Sequence, residues 1–321
     1  YPCLLFLYQL LTMRTEKDFI GEVRLPDDAL YGIHSVRAQQ NFPDATRFHI
    51  EWYQAIGLVK RSCYLSARDF FGELNTKYPG QTWPFRIPAD EVLSGLIRSA
   101  EEIEAGKHFD HFIVPAVSGG AGTSINMNIN EIITNVALNR IDKPVGDYST
   151  IDPVEDANIF QSTNDVIPTA LKVAVMKLLI ALEVSVNELR KEIEKLESQH
   201  RSSLRIGYTE MQQAVPSSIG KLLSTYCESL SRDWWRLSKC SERIKVVNLG
   251  GSAIGTGITV PRYVIMNVTG TLQKLSGLPV SKAENLNDAT CNLDALVEVH
   301  GILKAHAVNL EKMMSDLRLL S

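Results

Sequence analysis

After Pro168 the apolar positions fall into a simple order: Val175, Leu179, Leu182, Val186, Leu189, Ile193 and Leu196 follow at alternating steps of four and three. That spacing is a seven-residue repeat and predicts a helix over about residues 165–200, roughly 50 Å long at 1.5 Å per residue. A second helix is predicted by Leu223, Cys227, Leu230, Trp234, Leu237 and Ile244 in the same register, with the polar Ser241 interrupting it. A third follows from Leu296, Val299, Leu303, His306, Leu310, Met313, Leu317 and Leu320. His306 falls inside that stripe, where a satisfied core histidine is expected rather than a ligand or base. Three such helices in antiparallel order make most of a bundle. Seams this long call for further helices, from the same chain or from other subunits.

The stretch before residue 150 lacks that regularity. Leu25-Pro26-Asp27-Asp28 and Tyr78-Pro79-Gly80 break it into pieces, with helical patterning over about residues 52–71 and 89–105. The fold class expected is therefore mainly α: a small mixed N-terminal domain over residues 13–150, then a long-helix bundle over residues 151–321. Residues 1–12 are apolar but too short to span a bilayer, and they carry no basic n-region or small-residue cleavage site. They are expected to be a non-native leader, with the natural start at Met13.

Composition narrows the partners. A chain of 321 residues, 45% hydrophobic and 22% charged, is too large for one compact core and implies two regions. A net charge of -4, with no basic run interleaved with aromatics, argues against nucleic acid and an anionic membrane surface. Cys3, Cys63, Cys227, Cys240 and Cys291 are odd in number and scattered. They suggest neither a disulfide framework nor a metal site, and a reducing, cytoplasmic setting is expected.

Several polar clusters interrupt the apolar pattern. Ser162, Thr163 and Asn164 stand in a row just before the first long helix, the signature of a helix N-terminus. Such an end either caps itself or binds an anion through its unpaired N–H groups. Ser118-Gly119-Gly120-Ala121-Gly122-Thr123-Ser124 brings close backbone approach and places hydroxyls where another helix would begin. No Gly-Lys-Ser/Thr follows those glycines, so a nucleotide-phosphate loop is rejected. A third cluster, Gly207 through Pro216, is a turn bearing a hydroxyl, a carboxylate and carboxamides. A fourth, Asn248 through Gly257, holds Gly255-x-Gly257 without the strand context of a dinucleotide fold, and a tight bend is its leading reading.

Taken in order, these motifs resemble the aspartase/fumarase superfamily, and its aspartases more than its fumarases. The resemblance runs from Arg14-Thr15-Glu16 and Tyr31-Gly32-Ile33-His34-Ser35 through the Gly119–Asn128 segment and Gln161-Ser162-Thr163-Asn164-Asp165, which is nearly the family motif. It continues through Gly207 to Pro216, Gly250 to Gly257, Ala283-Glu284-Asn285 and Asp316-Leu317-Arg318-Leu319-Leu320-Ser321. It implies a homotetramer whose pooled central helices form one core, with each active site assembled from three subunits. It also implies conversion of L-aspartate to fumarate and ammonia through an aci-carboxylate intermediate, without metal or organic cofactor. Thr123, Ser162, Thr163, Asn164 and Thr209 match positions that hold the substrate's carboxylates and amino group.

Three departures qualify the match. The family's proton-abstracting serine sits in a Gly-Ser-Ser loop downstream of the Asp316–Ser321 motif, so no catalytic base is expected before Ser321, and the C-terminal domain is likewise expected to be absent. Glu210 replaces a histidine or glutamine and would either repel a dicarboxylate or bind the substrate ammonium. Asp152-Pro153-Val154-Glu155 replaces a His/Asn-Pro-Asn-Asp motif, so the accessory anion site of fumarases is expected to be missing. Another fumarate-yielding lyase, fumarase itself, and a non-catalytic helical homologue stay open beside the aspartase expectation.

Overall fold

The computed structural model describes residues 12–83 and 85–320. The leader expected over residues 1–12 lies, apart from Thr12, outside them. In chain order the elements are β1 (Met13–Lys17), β2 (Glu22–Pro26), α1 (Ile33–Asn41), α2 (Ile50–Lys77), α3 (Asp90–Glu104), α4 (Thr123–Arg140) and α5 (Thr163–Gln199). There follow β3 (Leu204–Thr209), β4 (Gln212–Ser218), α6 (Ile219–Leu237), α7 (Cys240–Ile244), β5 (Val246–Val247) and α8 (Arg262–Ser276). The chain continues with β6 (Ser281–Lys282), α9 (Leu286–Cys291) and α10 (Asp294–Leu320). The protein is mainly α, and among the described residues the strands form three two-stranded pairs. Among the described residues no helix is long and apolar enough to cross a membrane.

The chain divides into two compact units. One runs to Ala174 and resumes over Val246–Cys291; the other takes Val175–Lys245 with the residues from Asn292 on.

In the first unit, α2 is the central helix. Ala55, Ile56, Gly57, Leu58, Val59 and Lys60 are buried in succession, which covers the whole circumference of a helix and requires neighbours on every side. α3 and α8 supply them. A Cβ on Gly57 would come within 2.5 Å of the Glu104 nitrogen, so only glycine lets α2 and the end of α3 lie this close. β1 and β2 pair antiparallel from Met13↔Pro26 to Lys17↔Glu22.

The start of α1 rests on buried carboxylates. Glu131 of α4 accepts the backbone N–H groups of Gly32 (2.8 Å), His34 (2.9 Å) and Ser35 (3.2 Å) and the Ser35 hydroxyl, while Glu16 accepts Ile33 N–H at 2.8 Å. Negative charge at a helix N-terminus satisfies its unpaired donors and its dipole together. Burial pushes the Glu131 carboxyl above its usual range, and these donors oppose that shift. The Tyr31–Ser35 and Asn126–Glu131 motifs are thereby two halves of one structural lock.

In the second unit, α10 packs against α6 and α7. The predicted second helix is broken in two. Ser238 and Lys239 close the end of α6 with bonds to Trp234 O and Arg236 O, and α7 restarts at Cys240, keeping Leu237, Cys240 and Ile244 buried. His306 is a satisfied core histidine, as its place in the stripe predicts: its Nδ1 lies 3.0 Å from Asp233 Oδ2, and Asn309 Nδ2 donates to both oxygens of Asp233. Along α5, Leu179, Val186 and Ile193 are buried, whereas Leu189 and Leu196 of the same repeat are 38% and 43% exposed.

Candidate active site

Ser162 caps α5. Its Oγ accepts Asn164 N–H at 3.3 Å, and the Asp165 carboxylate accepts Ser162 N–H at 2.9 Å, a reciprocal capping box that occupies two donors of the helix start. The other oxygen of Asp165 accepts Gly250 N–H (3.2 Å) and Ser252 N–H (3.0 Å). Asn164 Nδ2 donates to Ala253 O at 2.6 Å, and Asn248 Nδ2 donates both to Asn164 O and to Thr290 Oγ1, each at 2.9 Å. The glycine-rich 248–257 segment is thus a bend, as expected, and also a brace against the start of α5. Thr163 is half-buried, and among the described residues its hydroxyl has no hydrogen-bond partner. It is the side chain in this row left free for a ligand.

Thr123 begins α4 at the end of a strained loop. Gly120, Ala121 and Gly122 all have positive φ (74°, 55° and 86°), and Thr123 Oγ1 donates back to Gly120 O at 2.7 Å. A Cβ on Gly122 would lie 3.0 Å from Cγ2 of Ile167, so this loop abuts the first turns of α5. Asn158 ties the two helix starts together: its Oδ1 accepts Asn126 Nδ2 (3.0 Å) and its Nδ2 donates to Gln161 O (3.2 Å). The sequence-predicted residues Thr123, Ser162, Thr163 and Asn164 therefore belong to one neighbourhood, built from two helix N-termini and their donors.

Beside Thr123 lies a cleft of about 630 Å³ lined also by His34, Arg37, Ser124 and Met127. Arg37 is held in a fork by Asp18, at 2.7 and 2.9 Å, and that guanidinium holds the Asp18 carboxyl down at about 2.

Beside the α5 N-terminus is a buried amine that sequence patterning missed. Lys60 is fully buried, and its Nζ donates to Gln161 Oε1 at 3.0 Å. Gln161 is oriented by its Nε2, which donates to Ala157 O and Ile159 O. Burial pushes Lys60 down to about 7 and Asp165 up to about 6. The available signal for Lys60 was a lone lysine closing the apolar run from Ala55 to Val59.

The Lys60 shift has a sign that stability can read. Between about 7 and the ordinary lysine value of 10.5, the unfolded chain holds a proton on Lys60 that the folded chain lacks. Its contribution to stability accordingly rises with pH across that window and falls away as pH drops towards 7. Lys60→Met is expected to flatten the dependence of the urea midpoint on pH between about 7 and 10, relative to the parent chain. An unchanged slope would mean that Lys60 does not titrate in the folded state.

Thr209 and Glu210 belong to the second compact unit. The Gly207–Pro216 cluster forms a hairpin: Thr209 pairs with Gln212, and Glu210 and Met211 make the two-residue turn, both at positive φ (50° and 61°). Both predicted residues are exposed at its tip. The Asp152 substitution also acquires a geometry. Its Oδ1 accepts Val154 N–H (2.7 Å) and Glu155 N–H (2.8 Å), so these amides are engaged by an internal carboxylate. Among the described residues no cluster of three His, Cys, Asp or Glu side chains is placed to hold a metal.

A family model described as lyase matches residues 21–321. Among curated proteins, one named aspartate ammonia-lyase from Bacillus sp is 37% identical over 310 residues, covering 96% of this chain and 63% of the relative. A protein of the same name from Escherichia coli (strain K12) is 34% identical over 313 residues, covering 96% and 62% respectively. The chain therefore spans less than two thirds of these relatives. A solved Brucella melitensis structure titled fumarate lyase:delta crystallin superposes with a TM-score of 0.86 at 33% identity, over 97% of this chain and 65% of that one. A class II fumarase from Schistosoma mansoni shares the fold, with a TM-score of 0.83 at 24% identity over 95% of this chain and 64% of that one.

Proposed function

Because the chain belongs to the lyase family whose model covers it from residue 21 on, we propose that its site serves the reaction named for its curated relatives, the conversion of L-aspartate to fumarate and ammonia. The observation that carries this reading is the free Thr163 hydroxyl at the capped start of α5, in the same neighbourhood as the Thr123 helix start. Hydroxyls and backbone N–H groups at helix N-termini favour carboxylates without adding a competing full charge.

In the proposed reaction a base removes a proton from the carbon next to the β-carboxylate, and the electron pair moves into that carboxylate to give a dianionic aci-carboxylate. Collapse of this intermediate forms the carbon–carbon double bond as the carbon–nitrogen bond breaks and ammonia departs. The Thr163 hydroxyl would donate to the developing charge, the task for which preorganised donors lower a barrier most, while Ser162 holds the start of α5 in place. Glu210 would meet the substrate ammonium. The base is proposed to be the serine of the family's Gly-Ser-Ser loop. Assembly into a tetramer, with sites shared between subunits, accords with the exposed Leu189 and Leu196 of the α5 repeat.

The test is fumarate formation from L-aspartate, followed by ultraviolet absorbance, on this chain and on a form extended with the relatives' serine-loop segment. Turnover in the extended form alone supports the assignment. Silence in both, with folded protein, contradicts it.

A further inference from the structure

We infer that Lys60 is the positioning cation of this site, the buried counter-charge that makes the α5 N-terminus select doubly charged carboxylate ligands by taking up a proton as they bind. The inference rests on the proposed dicarboxylate site and deepens it. The geometry that carries it is the short chain from Lys60 Nζ to Gln161 Oε1 (3.0 Å), with Gln161 immediately preceding the Ser162 cap. Gln161 cannot turn away, because its amide nitrogen is spent on Ala157 O and Ile159 O, and Ala157 O is further fixed by the Tyr64 hydroxyl at 2.6 Å.

Among the described residues the one hydrogen-bond partner of Lys60 is Gln161, and no carboxylate forms a hydrogen bond or ion pair with the lysine. The ionisable groups bearing on it are Cys63, one turn along α2, and Asp165 on α5. Asp165 instead accepts hydrogen bonds from the backbone N–H groups of Ser162, Gly250 and Ser252. On α3, Glu101 and Glu104 are engaged by Arg61 at 2.7 and 3.0 Å, and α8 meets α2 through Thr271, which accepts the Ser66 hydroxyl. In the segment before α5, Asp156 is held by Arg86 at 3.1 Å.

A lysine so enclosed is disfavoured in its charged form until further negative charge arrives nearby. Its ordinary value is already lowered to about 7, so the proton balance lies where a bound dianion can tip it. Lys60 then supplies a full positive charge behind a helix end that by itself offers only partial charge and donors. A monocarboxylate, carrying half the charge, would draw the proton less strongly.

Calorimetric titration of the full chain with fumarate, in two buffers of different ionisation enthalpy at pH about 7 to 8.5, tests this directly, because fumarate itself stays a dianion there. The expected result is uptake that rises from at most about half a proton per fumarate near pH 7 towards one at pH 8.5, with affinity falling up to about tenfold per pH unit at the upper end of that window. His34→Gln, which removes the titratable ring in the adjoining cleft, should leave the uptake intact. Lys60→Met should lose it, and Lys60→Arg should bind fumarate without it. If the Lys60 variants do not fold, the parent chain and His34→Gln still decide. Fumarate binding without proton uptake, or uptake lost in His34→Gln, overturns the role of Lys60 and leaves the proposed function standing. No fumarate binding at any pH overturns both.

Discussion

In the extended, fumarate-forming form proposed above, Thr163→Ala is expected to lower turnover about a hundredfold or more while leaving the thermal midpoint unchanged. The size follows from removing one preorganised donor aimed at a developing oxyanion, which costs about 10²–10³ in turnover. The separation from stability follows because the Thr163 hydroxyl has no hydrogen-bond partner among the described residues, so its loss leaves no buried group there unsatisfied. Ser162→Ala should behave differently. It removes the α5 cap and is expected to cost about 1 kcal/mol of stability along with activity. Parallel turnover assays and thermal melts on the two variants separate the roles, and equal loss of stability in both would contradict the division between ligand donor and cap.

Gly255→Ala is the second large effect, and it acts on the frame. Gly255 has φ 86°, and a Cβ there would lie 2.4 Å from Cα and 2.5 Å from N of Asn287 at the start of α9. Backbone cannot withdraw as a flexible side chain could, so alanine must displace either the 248–257 brace or α9. Left-handed strain and overpacking together predict a loss of roughly 3 kcal/mol. The same displacement would pull Gly250 N, Ser252 N and Ala253 O away from Asp165 and Asn164, so ligand binding should fall with stability. Gly270→Ala is the contrasting case. That glycine lies within α8, has ordinary helical φ and meets nothing within 4 Å. Alanine there should stabilise by about 0.5–1 kcal/mol. Denaturant titrations of the two variants check both signs.

What the chain disclosed before folding, and what it withheld, follows from the range of each interaction. The long helix was legible because its signal is local and repeated: a stripe ending near residue 200 and a Ser-Thr-Asn start predicted residues 165–200, and α5 spans Thr163–Gln199. The break between α6 and α7 was hidden because Cys240 and Ile244 stay buried across it, so the apolar stripe barely registers the interruption.

The hairpin carrying Thr209 and Glu210 was hidden for a different reason. A two-residue hairpin turn normally announces itself with Asn-Gly or Asp-Gly, which tolerate positive φ, and here Glu210 and Met211 adopt that conformation. In the candidate site, hydroxyls at helix starts could be found from their clusters. Asp165 and Lys60 could not, because their roles depend on partners far along the chain, at Gly250 and Ser252 for one and at Gln161 for the other. The lone lysine at the end of an apolar run was the trace that Lys60 left in the sequence.

A dicarboxylate bound where the α4 and α5 N-termini meet would leave its mark in hydrogen–deuterium exchange of the folded chain with and without saturating fumarate. Exchange is expected to slow in peptides spanning residues 118–126 and 157–166, whose N–H groups would face the ligand, with the Glu131-locked start of α1 unchanged. Protection confined to other segments, or none at saturating fumarate, would contradict binding there.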